Sequence, residues 1–425
     1  MKIASAIRLV RDRVQSAGAR ASYWNAAKLA AEARALLTHA DPSVRAHFHN
    51  DLKRFLSRGV APVPGEIPRR ARAAAEWLLR AHAATADDGV SLGYFPCDPI
   101  DRGWRPSYPE TTGYIMTTLL EFARHFGDPA VREAALRMGR WEIEVQMTSG
   151  AVQGGPIVPP ERQTPAAFNT GMVLDGWCSA YATTNDGAFL DAGRRAAEFL
   201  ANDMYESGHF KTNGEFVSAG EIKTYNCLCG WAMYRFATLA GEPQYCDAAI
   251  RCVQAAVNVQ HDNGWFPNNC LSDSRSPLTH TIGYTLQSIL EVGALAGRDD
   301  FIAAARRGVE PLVARIEDSG FLPGRFYADW QPATFSSCLT GSAQIAIICY
   351  RLHDIAGNID YARAGDKLLD YLKSLQLIDS PNQNLNGALA GSFPFLGEYM
   401  RAGYPNWATK YFLDALMLQD THGQT

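Results

Sequence analysis

NGWFP at 263–267 leading into HTIGYTLQSILEVGALA at 280–296 decides the fold: a Gly-aromatic loop runs into a helix-like segment that is apolar around most of its circumference. The same succession recurs along the chain. Its counterparts are TTGYIMTTLLEFA (111–123), NTGMVLDGWCSAYA (169–182), YNCLCGWAMYRFA (225–237), SCLTGSAQIAIICYRL (337–352) and NWATKYFLDALML (406–418). Loops opened by Gly and an aromatic (LGYFP, GHF, SGFLPGRF) precede several of them. The starts near Thr111, Asn169, Tyr225, His280, Cys338 and Pro405 are 58, 56, 55, 58 and 67 residues apart. So constant a spacing marks repeated supersecondary units, each long enough for two helices and a loop.

Between the apolar segments lie Ala-rich segments polar on one face, near 71–90, 129–146, 187–205, 243–261, 299–317 and 359–377. These read as outer helices around an inner ring. The expected fold is therefore all-α: an (α/α)6 barrel, or six-hairpin toroid, over 71–420. A helical extension over 1–57 and a Pro-rich linker over 58–70 precede it, and almost no strand pattern is visible. All inner helices of such a barrel run the same way, so their N-termini and preceding loops share one mouth. Helix N-termini carry partial positive charge and unpaired N–H groups, which favours an anion such as a sugar carboxylate there.

Composition narrows the partners. The formal charge is −4, pI is near 6.2, and no long basic run occurs, so nucleic acid is not an expected partner. No stretch of about 18 apolar residues is present to span a bilayer. Arg8, Arg11 and Arg13 interrupt any secretory apolar run, and Cys178, Cys227, Cys229, Cys338 and Cys349 sit in apolar helical segments, so the expected location is cytoplasmic with reduced thiols.

Cofactors are not expected either. No DxDD string occurs, and Asp87-Asp88 and Asp299-Asp300 lack the last aspartate of a DDxxD diphosphate site. GGP at 154–156 lacks the lysine and spacing of a phosphate loop. Cys227 and Cys229 are two apart, pointing about 200° from each other on a helix, which does not suit a shared zinc.

The polar residues near the inner starts include Tyr108, Glu110, Asn169, Glu221, Lys223, Tyr225, His280, Tyr284, Tyr404, Asn406 and Lys410, with Arg325 just before one start. Thr111, Asn169, Thr279 and Ser336 have the residue types of helix caps. The loops add Trp104, Arg105, Trp265, Asn268 and Trp330 as candidate substrate-binding residues, the aromatics offering flat faces for sugar rings.

SYPETTGY (107–114), FNTGMVLDGW (168–177), PLTHTIGYTLQSILE (277–291), SCLTGSAQIA (337–346) and YPNWATKYFLDAL (404–416) resemble motifs of uncharacterised bacterial proteins associated with exopolysaccharide or capsule biosynthesis, of the VpsJ or prenyltransferase-like type. That resemblance implies the six-hairpin toroid, a glycan substrate and partners in polysaccharide synthesis, but brings no catalytic residues. More distantly, the architecture resembles polysaccharide lyases, the C-terminal domain of glucuronyl C5-epimerase and six-hairpin glycosidases.

Three functions fit. The first is abstraction of the C5 proton of a uronic acid by a lyase or epimerase: Asn169 and Arg325 hold the carboxylate, His280 or Tyr225 takes the proton, and Tyr284 returns one. The second is glycoside hydrolysis by two carboxyl groups such as Glu110 and Glu221. The third is glycan binding without catalysis.

Overall fold

The computed structural model describes residues 32–423 except 37, 39, 58–60, 99, 215–216 and 218–220. The helices expected before residue 32 lie outside the described residues. After a helical stretch at 32–36, helix α1 (Pro42–Ser57) leads into alternating outer and inner helices. The outer helices are α2 (Ile67–Ala83), α4 (Pro129–Val145), α6 (Gly187–Asn202), α8 (Gln244–Asn258), α10 (Asp299–Val313) and α12 (Ile359–Leu375). The inner helices are α3 (Pro109–Phe126), α5 (Ala167–Thr184), α7 (Leu228–Ala240, entered through a 3-10 turn at Thr224–Cys227), α9 (Thr279–Ala296), α11 (Leu339–Ala356) and α13 (Asn406–Gly423). This is the (α/α)6 toroid.

The two helix sets differ in how they are buried. In α10 the buried residues are Phe301, Ala304, Ala305, Gly308, Val309 and Leu312, a single stripe at helical spacing. In α9 every residue from Thr279 to Gly293 is buried, because both sides face protein. Each inner helix from α3 to α11 ends on a left-handed Gly127, Asn185, Gly241, Gly297 or Gly357 and turns at once into the next outer helix. The tight hairpins are therefore inner-to-outer. The sixth is built from the two ends of the ring, with α13 packing along α2.

Several local expectations are revised. Ring helix α2 starts at Ile67 rather than Ala71, because Pro68 suits the first turn of a helix. None of the inner helices from α3 to α11 is capped by a side chain at its N-terminus; Asp128, Asp186 and Asn358 cap outer helices instead. The threonines do something else: Thr112, Thr170 and Thr409 accept from the backbone N–H of Val90, Val152 and Leu389, tying each loop to its inner helix. Short strands also occur, β1 (Gly93–Phe95) pairing with β2 (Gly103–Trp104) and β5 (Tyr404–Pro405), and β3 (Ser337–Cys338) with β4 (Ser392–Phe393). They staple loops at the mouth.

The recurrent loop glycine has a steric cause. At Gly264, φ is +87° and a Cβ would lie 2.2 Å from the Arg307 carbonyl oxygen on the next outer helix. The same approach recurs at Gly150, Gly208, Gly320 and Gly387. Helix α1 docks over mouth loops, with Phe55 against Phe335 and Phe393, His47 against Phe395, and the Asp51 carboxylate accepting from Phe395 N–H.

Candidate active site

At the mouth end, the first two turns of the inner helices place polar and aromatic side chains around Glu110. This residue sits in the first turn of α3 and keeps some solvent contact, yet protein surrounds it deeply enough that desolvation pushes its carboxyl up to about 7. The Tyr108 hydroxyl opposes that shift. Six tyrosines, Tyr108, Tyr114, Tyr225, Tyr284, Tyr399 and Tyr411, lie close enough to feel its charge. Burial raises each of these phenols, so they stand as neutral hydrogen-bonding groups.

His280 faces the same tyrosines. Its ring centroid is 4.4 Å from Tyr284, 5.4 Å from Tyr399 and 6.3 Å from Tyr411. Desolvation pushes its imidazole down to about 4, and Nδ1 lies 2.8 Å from Gln344 Oε1. With that oxygen toward the ring, Nδ1 donates and Nε2 keeps its lone pair. The cluster thus holds a carboxyl that stays protonated below about 7 and an imidazole that stays neutral above about 4.

Asn169 joins the group, its amide donating to the Gln153 carbonyl at 2.9 Å and reaching Tyr108. Tyr225 stacks edge-on with Phe168, whose ring is also 5.0 Å from Tyr284. Phenolate formation at Tyr225 is opposed by burial, Lys223 being engaged by Glu221 at 2.6 Å. Lys410 sits 3.9 Å from the Tyr411 ring centroid and pairs with Asp414 at 2.7 Å.

Other expected site residues are built into the walls. Arg325, 6% exposed, pairs with buried Glu398 at 3.1 Å and donates to Ser276 O at 2.6 Å. Glu221 is exposed and held by Lys223. Trp104 donates to Asn384 and packs on Trp77 and Tyr94, and Arg105 pairs with Asp98 and Asp101. Trp265 and Trp330 pack on each other at 5.3 Å, and Trp330 donates to Asn263 O. Asn268 adopts φ +54° and accepts from Thr224 N–H through its carbonyl. Tyr404 is fully buried against Phe395, and Asn406 donates to Ser91 O and Thr111 Oγ1.

Gln344 and Tyr411 were not expected at the site. Tyr411 repeats Tyr114 and Tyr284 as a second-turn tyrosine of an inner helix, so alignment of the units carried its signal; Gln344 left none. Among the described residues no group of three His, Cys, Asp or Glu is placed to hold a metal, and no helix is long and apolar enough to cross a membrane.

A ring of six inner helices with polar and aromatic groups gathered at their N-terminal ends defines an (α/α)6 toroid with a cluster of titratable side chains at one mouth. An unsaturated glucuronyl hydrolase specific for heparin is similar in structure, with TM-score 0.68 and 15% identity over 84% of this chain and 98% of that one. Cellobiose 2-epimerase from Bacillus thermoamylovorans gives 0.63 and 10% over 88% and 98%. The GH76 alpha-mannanase from Bacteroides thetaiotaomicron gives 0.61 and 12% over 85% and 97%. At such identities the likeness establishes the fold. No protein-family model matches the chain, and no curated protein matches it.

Proposed function

We propose that the protein is a carbohydrate-processing enzyme that moves a proton at a sugar carbon next to a carbonyl or carboxyl group. The observation that carries this is that Glu110, its carboxyl pushed up to about 7, and His280, its imidazole pushed down to about 4, share one tyrosine cluster through Tyr284. Groups whose surroundings push their pKa values apart divide the acid and base roles. His280 takes the carbon-bound proton through Nε2, and Glu110 protonates the oxygen on which negative charge develops. Tyr284, Tyr399 and Tyr411 supply donors that steady the intermediate. Tyr284 delivering a proton to the opposite face and then being reprotonated by His280, while Glu110 takes back the oxygen's proton, gives an epimer; His280 returning its proton to the neighbouring carbon, while Glu110 takes the proton of the other hydroxyl, gives an isomer.

The cations near the cluster each answer a carboxylate: Arg325 with Glu398, Lys223 with Glu221 and Lys410 with Asp414. This favours an uncharged sugar over a uronate. The similar structures include sugar-converting enzymes, which supports the carbohydrate class. The exopolysaccharide setting, with its biosynthetic partners and cytoplasmic location, rests on the sequence alone.

The test is incubation with neutral aldoses, cellobiose and uronate oligosaccharides in D2O. Deuterium entering at a carbon beside the carbonyl, with an epimer or isomer formed, is the expected result. Reducing ends released without deuterium would establish hydrolysis instead, and ultraviolet absorbance from a new double bond would establish elimination. Binding without any of the three would leave a glycan-binding protein.

A further inference from the structure

The opposite end of the ring holds a cavity of about 300 Å³, at the lower limit of small-molecule sites. Tyr114, Tyr411 and Lys410 line it and also belong to the tyrosine cluster, so this aromatic layer stands between the cavity and the Glu110 and His280 side chains. Its walls continue down the C-terminal halves of the inner helices. We propose that this cavity is a second binding site, for an uncharged polyhydroxylated molecule of about monosaccharide size.

Gln287 is the first reason. It lines the cavity, is 7% exposed, and its Oε1 is buried with no hydrogen-bond partner among the described residues. A buried acceptor calls for a donor. A ligand hydroxyl supplies one.

Charge balance is the second. Of the four lining carboxylates, Glu291 pairs with Arg351 at 2.8 Å and Asp414 with Lys410 at 2.7 Å, both cations of the lining, while Asp175 and Glu121 are answered from outside it by Arg235 and Arg124. A charged ligand would leave one sign unmatched here. Hydroxyls instead donate to the carboxylate oxygens and accept from the guanidinium and ammonium N–H groups. The converging helix C-termini also favour donors. Trp231, Leu228 and Ile347 add the apolar surface that the C–H face of a sugar ring covers.

The inference is independent of the proton-transfer reading, and calorimetry on the intact protein separates them. The probes are D-glucose, D-mannose and myo-inositol, with glucuronate and glucosamine as charged controls, titrated into wild type, Glu110→Gln, Gln287→Leu and Leu418→Trp. Leu418 lines the cavity and is half-buried, so a tryptophan there fills the space. At least one neutral probe should bind wild type and Glu110→Gln alike. Gln287→Leu should weaken it about tenfold or more, a tenfold loss being the size of one hydrogen bond, and Leu418→Trp should block it; either variant suffices if the other fails to fold. No binding by any neutral probe, binding lost only in Glu110→Gln, binding unchanged by both cavity variants, or equal affinity for a charged control overturns the proposal.

Discussion

Glu110 and His280 are ordinary residue types whose chemistry here is set by desolvation. Raising pH through about 7 strips the proton from Glu110, and lowering it through about 4 protonates His280, so kcat/KM should form a bell between those limbs. Glu110→Gln should cost about 10²–10⁴ in rate and remove the upper limb, checked by pH–rate profiles. The same substitution should stabilise. A folded-state pKa raised from 4.5 means the stability present below 4.5 is lost as pH rises through about 7. The variant should therefore gain up to about 3 kcal/mol above pH 7, and almost nothing below 4.5, in urea melts at both pH values.

Arg325 has a different part to play at this scale. Its charge is buried with that of Glu398, and removing Glu398 takes away the carboxylate that answers it. Glu398→Ala should cost about 3–5 kcal/mol by denaturant unfolding. A small effect, under 1 kcal/mol, would return Arg325 to the list of residues available to substrate.

Among the elements, the glycines of the TTGY and NTGM motifs let inner helices touch. A Cβ on Gly113 would fall 2.5 Å from Val173 Cα, backbone that cannot move aside. Gly113→Ala should cost about 1–3 kcal/mol from overpacking. Gly241→Ala meets nothing within 4 Å among the described residues and carries the strain of φ +69°, so about 1 kcal/mol is expected. Thermal melts of the two variants, run together, should rank them in that order. The motif glycines and threonines were visible in the sequence, but the helix-capping role read for Thr111 and Asn169 was not what they do. A cap and a loop tie use the same hydroxyl and amide groups, and only the backbone path distinguishes them.

For the whole molecule, closure depends on a hairpin assembled from both ends of the ring. Deleting residues 406–425 removes α13 and uncovers the faces of α2, α3 and α11 it packs on. The truncated chain should lose its cooperative thermal transition rather than melt slightly earlier, as circular dichroism would show. A preserved sharp transition would mean the other helices form a core without closure.

The six-fold spacing and the contrast between one-sided and all-round apolar helices determined the toroid, because both are local patterns that one chain segment displays alone. They also placed Glu110, Asn169, Tyr225, His280 and Tyr284 at one mouth, since helix direction follows from alternation. Only the tertiary structure decided which polar residues keep their charge and which are already committed. Arg325 meets Glu398 across 73 residues, and Gln344 meets His280 across 64. Such pairings follow from ring closure, as does the degree of desolvation around Glu110, and neither is written in any single segment.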